Sequence, residues 1–154
     1  MDEQSLTKRL IQSCSEQFSV QVLNQSWVKP TRAEQKMLSV REGQNVLLRQ
    51  VILYCGKQPM VFAHSLIPLK TLRGEHRRLG CLKNKPLGKY LFSKPYLKRS
   101  SLQWSLISPS NSLYHVIAQN NVITGNVWGR RSLFHLKQKK LLVSEYFLPA
   151  IQTL

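Results

Sequence analysis

Two pairs of strongly apolar segments, each pair joined by a short polar turn, constrain the fold of this chain more than any other feature. Val46 to Tyr54 and Val61 to Ile67 flank Cys55-Gly56-Lys57-Gln58-Pro59, while Val127 to Leu136 and Lys140 to Leu148 flank Lys137-Gln138-Lys139. Runs rich in β-branched and aromatic residues that return across such turns read as antiparallel hairpins, the first with a longer loop. Weaker strand signals lie at Phe18 to Leu23, where Phe18, Val20 and Val22 alternate with polar residues, and at Leu97 to Ile107. Helices are expected from Ser5 to Cys14, with Ser5 as cap and Leu6, Leu10 and Ile11 on one face. Others are expected from Thr71 to Leu79 before Gly80, from Pro86, and from Leu113 to Gln119. The predicted fold is α+β, a single antiparallel sheet of about six strands with helices packed on it.

With 154 residues and 42% hydrophobic content, the chain is long enough for one core and short for two, so 1–154 is read as a single domain. Cys14, Cys55 and Cys81 are odd in number and widely spaced, with no CxxC pair, so neither a disulfide framework nor a metal site is expected and a reducing compartment is the default. The start, Met-Asp-Glu-Gln-Ser, has no secretory pattern, and no apolar run reaches membrane-span length. A soluble, cytoplasmic protein is the expectation. The net charge of +16 is compatible with nucleic acid, an anionic surface or capture of a small anion, but the basic residues are dispersed, with short runs only at Arg77-Arg78, Arg130-Arg131 and Lys139-Lys140.

Two charges stand inside apolar strands. Arg49 shares a strand face with Leu47, Val51 and Leu53, where a guanidinium needs an anion: a bound carboxylate, a structural ion pair, or water at a strand edge. Glu145 shares a face with Leu141, Val143 and Phe147, where it can accept from a ligand hydroxyl, act in proton transfer, or pair with Arg49 or Arg131. Pro86-Leu87-Gly88 reads as a helix start whose amides can face an anion. Trp128-Gly129-Arg130-Arg131-Ser132 suits an anion pocket or a base-stacking site, with at most one of the two arginines inward. His64, His76, His115 and His135 are isolated and read as structural or surface residues; no catalytic triad spacing is present.

The blocks Val127-Trp128-Gly129-Arg130-Arg131-Ser132 and Lys140 to Pro149 closely resemble the end of the chorismate pyruvate-lyase family. Leu6-Thr7-Lys8-Arg9, Leu48 to Leu53, and Gly80 through Lys85-Pro86-Leu87-Gly88-Lys89-Tyr90-Leu91-Phe92 match further blocks in family order. The resemblance implies a lyase that converts chorismate to 4-hydroxybenzoate and pyruvate, toward ubiquinone, without metal or other cofactor. It places ligand contacts on Leu6, Arg49, Leu87 and Glu145, with Arg49 and Glu145 the catalytic pair and the helices enclosing the ligand. Leu6 stands where a relative carries Met, a volume-conserving exchange. The start lacks the longer extension of some members, so part of the sheet or a covering segment is expected to be absent, and 105–126 is longer than in compact members. A monomer that binds no nucleic acid is expected. The alternatives are an effector-sensing domain of related fold, for which no helix-turn-helix is read ahead of Leu6, and a basic nucleic-acid-binding protein.

Overall fold

The computed structural model describes residues 5–153 apart from 101, 121, 122 and 124, so the expectation for the first four residues and part of that for 105–126 lie outside the described residues. Seven strands form one antiparallel sheet: β1 (Phe18–Val28), β2 (Val46–Cys55), β3 (Gln58–Pro68), β4 (Leu97–Arg99), β5 (Gln103–Ile107), β6 (Val127–Leu136) and β7 (Lys139–Phe147). Their order is β1-β2-β3-β7-β6-β4, with β5 also on β6. Four α-helices accompany them: α1 (Leu6–Ser13), α2 (Arg32–Leu38), α3 (Leu87–Phe92) and α4 (Ser112–Asn120).

The seventh strand arises because the expected Leu97 to Ile107 strand is broken. Both pieces lie along β6, and between them the Ser100 hydroxyl accepts from the Leu133 N–H at 3.2 Å, taking a ladder position with a side chain. Strand β1 runs five residues past the expected Leu23, because a register shift between Val22 and Asn24 breaks the alternation while pairing with β2 continues to Val28. Both hairpin turns are tighter than read. Gly56 and Lys57 alone connect β2 to β3, with Gly56 at φ +59°, and Lys137 and Gln138 connect β6 to β7.

Helix α2 is absent from the sequence reading, although its signal is present. Thr31 and Glu34 form a reciprocal capping box, with bonds of 3.2 and 2.8 Å. The Ser5 hydroxyl caps α1 as expected, accepting from the Lys8 N–H. That helix buries Thr7 and Leu10, however, while Ile11 is 46% exposed. The expected 71–79 helix is displaced to a 3₁₀ segment over Gly74–Cys81, kinked at His76, that contains Gly80 and begins at Gly74 with φ +76°.

Helices cover both faces of the sheet, which explains why nearly every residue of β2 is buried rather than alternate ones. On one face α1 packs over Val20, Val51 and Leu53, and α3 with the 3₁₀ helix packs over Leu47, Ile67, Phe134 and Leu141. On the other, α2 covers Val46, Leu48 and Leu142, and α4 covers Ile52 and Phe62. The cysteine expectation is corrected here: Cys14 and Cys55 form a disulfide, their Cα atoms 5.7 Å apart. Pairing of Phe18 with Cys55 brings the chain just after α1 beside the end of β2, a proximity that spacing along the sequence does not reveal. Cys81 is free and exposed. No helix among the described residues is long and apolar enough to cross a membrane.

Candidate active site

The cavity lies on the α1/α3 face, in the seam between the two apolar clusters there. Sheet register sets its floor. Arg49 pairs with Ser65, Ser65 with Val143 and Val143 with Ser132, giving one row across four strands. Val51, Ala63, Glu145, Arg130 and Trp104 form the next row, and Leu141, Phe134 and Arg99 lie in the row on the opposite side. Rows on one face are roughly 7 Å apart and strands about 4.8 Å apart, so Arg49 and Glu145 stand diagonally across the floor.

Leu6, Arg49, Leu87 and Glu145 all line this cavity, together with Ser5, Thr7, Gly88, Phe92 and Arg99. Arg49 is 1% exposed, and one of its terminal nitrogens donates to the Lys85 carbonyl at 2.9 Å. Its Nε and other Nη are buried and without a hydrogen-bond partner among the described residues. Burial lowers its pKa. Leaving a buried cation unpaired costs several kcal/mol, on the order of breaking a buried ion pair, which makes Arg49 the candidate anion contact of the cavity.

Glu145 does not pair with Arg49 or Arg131. Its Oε1 accepts from the Nε of Arg130 at 3.0 Å, and both groups are largely buried. Of the two adjacent arginines, Arg130 therefore points inward, while Arg131 donates to Gln103 on the other face. An Nη of Arg130 and the hydroxyl of Ser132, two residues along the same strand face, are also buried without a hydrogen-bond partner among the described residues. Arg99, absent from the sequence-based candidates, lines the cavity with its guanidinium 5.3 Å from the Phe92 ring and 4.8 Å from that of Phe134. Its position on a three-residue strand beyond the expected hairpins gave no separate signal.

The roof depends on a close approach of two helix starts. A Cβ on Gly88 would lie 2.9 Å from the Thr7 hydroxyl and 3.1 Å from that of Ser5. Behind α3, the buried His76 ring lies 2.8 Å from the Tyr90 hydroxyl and 3.1 Å from the Glu75 carboxylate. The Tyr96 hydroxyl donates to Glu75 at 2.8 Å, an interaction that pushes the phenol up to about 12. His64 lies within hydrogen-bond reach of Gln50 on the opposite face. Among the described residues, none of the four histidines is in the cavity lining. Gly88→Ala is expected to destabilise the protein by about 1–3 kcal/mol through overpacking against Thr7, lowering Tm by several degrees. A melting curve that overlays the native one would show that α1 and α3 are free to separate.

A helix-roofed antiparallel sheet with buried guanidinium and carboxylate groups facing one cavity defines a binding domain for a small organic anion. The family model for chorismate lyase matches residues 1–153, and the chain belongs to the chorismate lyase family. A relative from Methylobacillus flagellatus named "Probable chorismate pyruvate-lyase" is 45% identical over 96% of this chain and 83% of its own length. Relatives bearing the same name in Nitrosospira multiformis and Methylococcus capsulatus are 40% and 38% identical, each over 96% of this chain and over 82% and 90% of their own lengths. Among solved structures, the PhnF C-terminal domain matches with a TM-score of 0.67 at 14% identity, covering 95% of this chain and 89% of that one. A GntR-family transcriptional regulator from Bacillus cereus matches with a TM-score of 0.61 at 13% identity, covering 86% and 92%. These two likenesses concern the fold.

Proposed function

We propose that the cavity binds chorismate and releases 4-hydroxybenzoate and pyruvate, with residues 1–154 acting as one unit. The observation that carries this reading is the buried Arg49 fork, two of whose nitrogens have no acceptor among the described residues, in a cavity that also holds the Glu145 carboxylate. Chorismate offers a ring carboxylate and, across the ring, a hydroxyl. Arg49 holds the carboxylate through its planar fork, and the amides of Leu6 and Leu87, first residues of α1 and α3 and so without intrahelical acceptors, assist. Glu145 accepts from the hydroxyl.

The reaction breaks the ether bond between the ring and the enolpyruvyl oxygen. Hydrogen leaves the ring carbon that bears the hydroxyl and reaches the enolpyruvyl methylene, so that pyruvate departs and the ring becomes aromatic. Aromatisation supplies the driving force, and the protein contributes orientation and electrostatic stabilisation of the departing enolpyruvyl group. In this reading the enzyme works as a cytoplasmic monomer without cofactor, supplying 4-hydroxybenzoate toward ubiquinone.

The direct test is to incubate the purified, metal-depleted protein with chorismate and follow 4-hydroxybenzoate by absorbance. Product formation above the uncatalysed rate is expected. Tight chorismate binding without turnover would instead favour an effector-sensing domain, a role suggested by the fold shared with transcriptional regulators. The net charge of +16 assists anion capture in this account. The KM for chorismate should therefore rise with ionic strength, while duplex DNA and RNA compete poorly at physiological salt.

A further inference from the structure

The proposed substrate has a second carboxylate, on the enolpyruvyl group, for which Arg49 and Glu145 leave no partner. Chemistry fixes where that group must go. The ring carboxylate and hydroxyl lie para to each other, and the ether oxygen sits on the ring carbon next to the hydroxyl carbon. A ring stretched from Arg49 to Glu145 therefore projects its side group sideways, from a point near the Glu145 end.

The sheet register identifies which cation stands on that side. Arg49 is on β2, in the row of Ser65 and Val143, and Glu145 is on β7, one row further. Arg130 neighbours Glu145 in the same row, so it lies beyond the carboxylate, close to the axis of the ring. Arg99 is on β4, level with Phe134 and Leu141 in the row on the far side of Arg49. From the Glu145 end of the ring, the direction to Arg99 runs nearly perpendicular to the Arg49–Glu145 diagonal. Among the described residues, Arg49 and Arg99 are the cationic side chains that line the cavity.

The setting of Arg99 suits a planar anion. Phe92, at the end of α3, and Phe134, on β6, both lie against its guanidinium. Aromatic contact holds the cation in an apolar wall while its N–H groups keep the fork geometry that matches a carboxylate. Resting on the lyase reading, we propose that Arg99 anchors the enolpyruvyl carboxylate, making it the residue that distinguishes the dianionic substrate from the monoanionic product. Because the anchored group departs as pyruvate, Arg99 acts on binding and orientation of the leaving half and not on retention of 4-hydroxybenzoate.

The test compares two ligands on the full chain carrying Arg99→Met or Arg99→Lys, with melting curves as a check on folding. Equilibrium binding of chorismate and of 4-hydroxybenzoate is measured alongside turnover. Arg99→Met should lower chorismate affinity and kcat/KM by at least about 30-fold, the low end for truncating one side of a desolvated charge pair, with 4-hydroxybenzoate affinity changed little. Arg99→Lys should recover part of the loss; if Arg99→Met fails to fold, the Lys variant carries the same comparison. Parallel loss of both ligands would overturn the proposal and make Arg99 a support of the cavity wall, and unchanged chorismate binding would place the second carboxylate elsewhere. A native protein that binds chorismate without converting it rejects the lyase reading, while the difference between the two ligands still decides the role of Arg99.

Discussion

Arg49→Ala should weaken chorismate and 4-hydroxybenzoate alike by about 2–5 kcal/mol, with kcat/KM falling in proportion. The expectation follows from the surroundings of the guanidinium: it is almost wholly buried, one nitrogen is held by the Lys85 carbonyl, and two others have no partner among the described residues. The same geometry makes a second, opposite expectation for stability. A buried cation without an anion destabilises the ligand-free fold, so Arg49→Met should raise its Tm while weakening binding as Arg49→Ala does, by the logic through which apolar replacements of buried charges stabilise by about 1–4 kcal/mol. Arg49→Lys should restore binding only in part, because an ammonium cannot donate in a planar fork. Titration calorimetry and thermal melts on the three variants check both signs. An Arg49→Ala protein with native turnover at low chorismate would remove Arg49 from the site.

Glu145→Gln should reduce turnover by about 10- to 100-fold, the loss expected when a hydrogen bond to a charged group is weakened, with 4-hydroxybenzoate still bound. Loss of an essential general base would cost more, on the order of 10²–10⁴. The smaller loss is expected because, in the proposed complex, hydrogen leaves the ring carbon and not the hydroxyl that Glu145 would contact. The Arg130 contact sharpens the experiment. Arg130 donates to Oε1, so a Gln side chain would offer its amide oxygen to Arg130 and turn its NH₂ toward the ligand. The substrate hydroxyl would then have to accept where it had donated, which is tolerable for a hydroxyl but shifts the ring. Stopped-flow or steady-state kinetics on Glu145→Gln and Arg130→Gln separate the two roles. Normal 4-hydroxybenzoate binding with no measurable turnover in Glu145→Gln would make Glu145 the base.

Much of the sheet was legible because hairpins are local: apolar runs, their alternation and their turns lie within about twenty residues of one another. The lost parts were those in which a side chain or a bulge replaces regular pairing, as at Ser100 and between Val22 and Asn24. Helix α2 carries its signal in the Thr31 and Glu34 capping box, but it is short and flanked by polar residues, so no apolar periodicity marks it. Arg49 and Glu145 stood out because a charge in an apolar strand contradicts its own neighbourhood. Leu6 did not stand out, since an apolar residue at a helix start looks the same whether it faces a ligand or a core; Leu87 was marked by Pro86-Leu87-Gly88 only as part of a helix start whose amides can face an anion, and the ligand contacts of both came from resemblance.

The sequence by itself determined the antiparallel sheet, the inward faces of its two hairpins and the presence of two anomalous charges, because strand period and turn chemistry are properties of neighbouring residues. Tertiary structure alone decided which groups meet. Glu145 takes Arg130 and not Arg49, Arg99 arrives from a short strand at the far side of the floor, and Gly88 lets α1 and α3 close the roof. It also joined Cys14 to Cys55 across 41 residues. These encounters depend on strand order and register between segments distant in the chain, and no local pattern encodes the partner that a side chain finds across a sheet.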